Sequence, residues 1–152
     1  MGDVYFYHLT RRPLESALPQ LLELSLARGW RVAVRGTDAG RLAWLDEKLW
    51  LSPEESFLPH GLAGGAHDAR QPVLLTAERD MPNGAACLIC VDGAEIEAGE
   101  VAALERACVI FDGADAAAVD RARGQWAALT RAGCRAQYWS EESGRWQKKA
   151  ER

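Results

Sequence analysis

The sequence predicts a three-layer α/β domain with a mostly parallel sheet, and three observations carry that expectation. Short runs rich in β-branched and aromatic residues alternate with longer segments whose leucines or alanines recur at helical spacing. Two of those runs, QPVLLT at 71–76 and AACLICV at 85–91, are largely apolar without alternation, as in strands buried on both faces. A chain of 152 residues is long enough for one full hydrophobic core and too short for two.

The elements follow in order. Residues 4–9 (VYFYHL) combine aromatic and β-branched side chains and predict the first strand. Over 13–28, leucine recurs at 14, 18, 21, 22, 24 and 26, which predicts a helix with a wide apolar face. Gly29 supplies its left-handed stop, and Pro19 marks the first turn of its continuous part or a kink. WRVAVR, 30–35, alternates as a second strand. Thr37 and Asp38 cap a helix reaching to about Trp50, with Leu42, Leu45 and Leu49 on one stripe, and Pro53 prevents its continuation.

Residues 59–70 (PHGLAGGAHDAR) predict an exposed loop. Two apolar strands follow, parted by the turn MPNG at 81–84, then a short helix over about 97–106 and a strand CVIFD at 108–112. Residues 114–132 hold the longest helical pattern, stopped by Gly133, and CRAQYW predicts the last strand. The reading ends as a single domain over 1–143 and a charged, frayed tail over 144–152 whose start Trp146 pins.

Composition narrows the function classes. The formal net charge of −4 repels a phosphate backbone overall, so nucleic-acid binding would need a locally basic face. The start MGDVYFYHLTRR has no basic segment leading into a long apolar run, and AACLICV is far too short to cross a bilayer, which predicts a cytoplasmic protein without membrane contact. The four cysteines then read as reduced core residues. Cys87 and Cys90 spell C-x-x-C, but on a strand positions three apart point to opposite faces, and no second pair or spaced histidine completes a zinc set.

Chemistry-bearing motifs are missing. The first strand-to-helix turn, HLTRRPLES, holds no glycine, so no backbone can approach a pyrophosphate there, and no phosphate-loop motif occurs elsewhere. No nucleophile elbow or paired-histidine metal motif appears, and His8, His60 and His67 have no obvious nucleophile partner. His8 reads as a strand-end histidine and His60 as a turn histidine bonded to backbone. No cofactor, metal or catalytic residue is expected. An enzyme or ligand-binding protein with a pocket near His60 and Asp112 is the rival, and direct single-strand binding by Arg11, Arg12, Arg121, Arg123 and Arg131 is a second one.

One stretch fits neither helix nor strand. LWLSPEESFLPHG, 49–61, places Trp50, Leu51, Phe57 and Leu58 around an acidic turn on Pro53, Glu54 and Glu55. Such a cluster either roofs the core or docks another chain, and aromatic anchors beside a proline-fixed turn match the composition of protein interfaces.

LDEKLW at 45–50 followed by SFLPHGLAG at 56–64 resembles the chi subunit family of bacterial DNA polymerase III. YFYHL, QPVLLT, PNGA, IFDG at 110–113, and AR-x-x-W-x-x-L-x-x-AG at 122–133 followed by YW and GRW fit the family in the same order, over nearly the whole chain. The resemblance implies a non-catalytic accessory protein of the clamp-loader assembly, with a Rossmann-like fold that has no nucleotide site. It implies two partners. The psi subunit, or an equivalent such as a helicase-like protein, meets Trp50, Phe57 and Leu58; the C-terminal tail of single-stranded-DNA-binding protein meets Arg123 and Trp126. DNA is then contacted only indirectly. An acidic tail ending in a free carboxylate wants a cationic fork beside an apolar surface, and Arg123 and Trp126, three apart, are helix neighbours. Two departures stand out: Ala127 replaces a lysine that relatives can carry, and Asp112 replaces an apolar residue after Phe111.

Overall fold

The computed structural model describes residues 2–51, 59–142 and 145–152, with the backbone alone at 142. Eight strands form one sheet in the order β3-β4-β2-β5-β6-β1-β7-β8. The strands are β1 (Asp3–Leu9), β2 (Val32–Arg35), β3 (Gly61–Leu62), β4 (Val73–Thr76), β5 (Cys87–Cys90), β6 (Arg106–Asp112), β7 (Arg135–Glu142) and β8 (Arg145–Glu151). All neighbours pair in parallel except β7 and β8. The helices are α1 (Leu14–Ala27), α2 (Ala39–Trp50), α3 (Ala98–Ala103) and α4 (Ala116–Arg131).

Two cores make the three layers. On one face the leucines of α1 and α2 pack on Val32, Val34, Ile89 and Ile110; on the other, Val101, Leu104, Ala122 and Leu129 from the α3 and α4 side pack on Phe6, Leu88 and Val109. The central strands are buried on both faces because helices cover both, as their unbroken apolar runs require. Cys87 falls in the first core and Cys90 in the second, so the C-x-x-C pair is split by the sheet. Burial pushes the Cys90 thiol up to about 12, which removes it as a nucleophile near neutral pH.

Local signals explain most boundaries. Asp38 caps α2 by accepting from the Arg41 amide at 2.9 Å, and Gly29 ends α1 in the left-handed region at φ 83°. Gly84 takes the same region in the MPNG turn, where Asn83 is buried and donates to the carbonyls of Val32 and Gln71. Helix α1 starts at Leu14 and runs through a buried Pro19, so Pro19 does not mark its first turn.

Three expectations are corrected. Residues 59–70 are not all exposed loop: Gly61–Leu62 pair with β4, and His60 is buried. The strand CVIFD begins two residues earlier, at Arg106. The tail is not frayed. Residues Arg145–Glu151 form the antiparallel edge strand β8. Its charges hid it, yet an edge strand open to solvent needs few apolar residues, and lysines there oppose further pairing. A single tryptophan anchors it: Trp146 meets Tyr7 edge-on at 5.0 Å between centroids, with the Arg12 guanidinium over its ring at 5.9 Å.

Two long-range ion pairs lock the ends of strands. Glu141, buried on β7, takes Arg12 through both Nε and the backbone amide, while Thr10 Oγ1 donates to its carbonyl at 2.8 Å. At the end of β2, buried Arg35 forks onto Glu100 at 2.7 and 3.1 Å and also donates to the carbonyls of Glu95 and Arg79.

Candidate functional site

Trp50 closes α2 with its ring 51% exposed, far from the sealed position of a core tryptophan. Helical spacing turns Leu42, Leu45 and Leu49 into the core and leaves the next residue outward. The ring is nonetheless held in place, stacking on His60 at 4.2 Å between centroids and 34° between planes. His60 is buried and fixed in turn: Nε2 lies 3.1 Å from the Asp46 carbonyl oxygen, which can only accept, so that nitrogen carries a proton; the Asp46 carboxylate is 3.2 Å away. This is the backbone-bonded histidine expected from sequence.

Among the described residues the exposed large hydrophobics are Leu24, Trp50, Leu51 and Leu62, and the last three stand at the end of α2 and on β3. Phe57 and Leu58, expected to complete this surface, lie outside the described residues. Leu62 was missed from sequence because a two-residue strand in a glycine-rich stretch carries no periodicity of its own.

The second surface lies on α4. Asp115 caps that helix by accepting from the amides of Ala117 and Ala118, and Ala122 and Leu129 turn into the core. Trp126 is half-buried on the flank toward β7, with edge contacts to Phe6 at 5.4 Å and to Tyr138 at 6.2 Å. Arg123 is exposed. The Tyr138 hydroxyl shares a hydrogen bond with His8 Nδ1, and Phe111 packs on both rings. Burial pushes the Tyr138 phenol up, while the charge of the Arg123 guanidinium pulls it the other way. Burial also holds the His8 imidazole below its ordinary value, against an opposing pull from Asp112.

Thus the structure brings Arg123 and Trp126 together, and adds Tyr138, His8 and Phe111 beneath them. Strand alternation placed Tyr138 on one face or the other; only the packing of α4 chose the face. Gly113 makes room for this cluster, since a Cβ there would fall 1.9 Å from His8 Nε2 and 2.7 Å from the Leu9 carbonyl. Gly113→Ala is expected to cost about 1–3 kcal/mol by overpacking, seen as a melting temperature lower by roughly 3–10 °C; an unchanged thermal unfolding curve would contradict the crowding.

A cleft of about 910 Å³ opens on the other flank of α4, at the carboxyl ends of β1, β5 and β6. Asp112 lines it and His60 does not, so the two residues of the supposed pocket are not brought together. The start of α4 is filled by the protein's own carboxylates: Asp112 accepts from Ala114 and Asp115 from Ala117. A bound phosphate would meet like charge there. No group of three or more potential metal ligands occurs among the described residues, and none of their helices is long and apolar enough to cross a membrane. Nor do the five arginines of the single-strand reading form one track. Arg12 is committed to Glu141, and Arg121 lines the cleft on the flank of α4 opposite Trp126.

Fold and surfaces define a Rossmann-like α/β module that keeps the doubly covered sheet, lacks the phosphate loop, and carries partly open tryptophans on two helices. The sequence profile of the DNA polymerase III chi subunit, HolC, matches residues 1–137, and the chain belongs to that family. A protein described as a probable DNA polymerase III subunit chi, from Rickettsia prowazekii (strain Madrid E), is 27% identical over 96 residues. That stretch is 63% of this chain and 58% of the relative, so the match spans less than two thirds of that protein. The family is that of the chi subunit of DNA polymerase III.

Proposed function

We propose that the protein is a non-catalytic adaptor of the bacterial replicase. The surface at Trp50, Phe57 and Leu58 receives the psi subunit, or an equivalent protein, and so joins the clamp loader. The surface at Arg123 and Trp126 takes the C-terminal tail of single-stranded-DNA-binding protein. It needs no cofactor, makes and breaks no bond, and meets DNA only through that coating protein.

The observation that supports this reading most is the half-open state of Trp50, a large apolar ring left 51% exposed at a helix end and stacked on a buried histidine. A preorganised aromatic at a surface loses little entropy on binding and suits the centre of an interface. The second surface is supported by chemistry: an exposed guanidinium beside a half-buried indole offers a carboxylate fork and an apolar wall together.

Titrating a fluorescein-labelled peptide of consecutive aspartates ending in phenylalanine, followed by anisotropy, tests the tail site. Binding is expected, with a loss of about tenfold or more in Arg123→Ala, because a hydrogen bond between charged groups is removed. Amidation of the final carboxylate should cost a similar factor. A single-stranded oligonucleotide should bind weakly at physiological salt. Equal peptide affinity in Arg123→Ala, or oligonucleotide binding tighter than peptide binding, refutes the assignment.

A further inference from the structure

The antiparallel strand β8 falls outside the stretch matched by the family profile, which stops at residue 137. It widens the sheet by one strand beside the proposed tail site, and register shows which of its side chains share that side. Directly paired residues on neighbouring strands point to the same face. Ala136 and Tyr138 belong to the core under α4. Ala136 exchanges backbone hydrogen bonds with Arg152 at 2.8 and 2.9 Å, and Tyr138 pairs with Ala150. Ser140 pairs with Gln147. Gln147, Ala150 and Arg152 therefore stand on the α4 side of the sheet, and all three are exposed.

The flank of α4 carrying Arg123 and Trp126 borders Tyr138 on one side, and β8 extends the same sheet layer beyond Tyr138 on the other. Among the described residues neither Arg123 nor Arg152 is held in a salt bridge. Arg123 stands one helical turn from Trp126, whose ring meets Tyr138, and Arg152 sits opposite Ala136, two residues back along β7, or about 7 Å of strand. Two unpaired guanidinia so placed suit consecutive acidic side chains of an extended peptide better than a single carboxylate.

We infer that the β7–β8 hairpin continues the acidic-peptide site beyond α4, with Arg152 pairing a further peptide carboxylate and Ala150 leaving room for the chain beside Tyr138. This rests on the reading of α4 as the tail site and deepens it: the ligand runs on along the hairpin instead of ending at the arginine of α4.

The test uses the whole chain and the same aspartate-phenylalanine peptide. Ala150→Glu and Arg152→Glu are each expected to weaken binding about fivefold, the scale of a solvent-accessible charge contact. Lys148→Glu, whose strand partner Trp139 lies in the opposite core, is the control for overall charge and should stay within about twofold of wild type. Circular dichroism checks that each variant is folded. If Ala150→Glu and Arg152→Glu bind like wild type while Arg123→Ala does not, the tail site stands and the hairpin extension is wrong. If Lys148→Glu weakens binding as much as the other two, the effect is bulk charge and the extension is again wrong. Unchanged binding in Arg123→Ala, or none in wild type, sinks both readings.

Discussion

Trp50→Ala is expected to weaken capture of the partner at the apolar turn by roughly thirtyfold, near the 2 kcal/mol typical of a central interface tryptophan, while leaving the fold almost untouched. The asymmetry follows from where the ring sits. Trp50 is already 51% exposed and its ring stacks on His60 at the surface, outside the two cores, so truncation opens little of the core. His60 keeps its bond to the Asp46 carbonyl without the indole. Calorimetric titration of purified psi subunit into wild type and variant measures the loss, and a melting curve within about 3 °C of wild type shows that stability is spared. Equal affinities would remove Trp50 from the interface and leave the first surface without its anchor.

Arg35→Met should do the reverse, sparing both surfaces and unfolding the protein earlier. Its guanidinium is buried, forks onto Glu100, and satisfies two further carbonyls from the segments around Arg79 and Glu95. Methionine fills much of the volume but leaves the Glu100 carboxylate and both carbonyls without that donor. Removing one partner of a buried pair costs about 3 kcal/mol or more, and at this chain length each kcal/mol lowers the melting temperature by roughly 2–4 °C. A fall of about 10 °C is therefore expected in calorimetry; a shift under about 2 °C would mean that water replaces the guanidinium at no cost.

The same pair predicts a pH dependence. Burial pushes the Glu100 carboxyl up, but hydrogen bonds from Arg35 and the Glu97 amide, and the charges of Arg35 and Arg79, outweigh it, so its pKa in the folded protein lies below the ordinary 4.5. A depressed carboxyl contributes stability that is present above the unfolded value and is lost as pH falls through the folded one. Wild type should therefore lose stability below about pH 4.5, and Arg35→Met should show a flatter acid limb because the largest downward pull is gone. Equal slopes would exclude the Arg35–Glu100 contact as their source.

Alternation and helical spacing are properties of neighbouring residues, so the buried strands VLLT and CLIC, the leucine face of α1 and the stripe of α2 could be read directly, and with them the layered fold. The pairing of Arg123 with Trp126 could be read for the same reason, being one helical turn. The edge strand β8 could not, because a strand whose one half-buried side chain is Trp146 has no apolar period to betray it. The partnership of Glu141 with Arg12, separated by 129 residues, and the choice of Tyr138 as the floor beneath α4 left no local trace either. Those features depend on which segments the sheet order brings side by side, and that order comes from the packing of the whole chain. The outward turn of Trp50 belongs to the same class: spacing placed it beside a buried stripe, but only the seat offered by His60 made it a held, open surface.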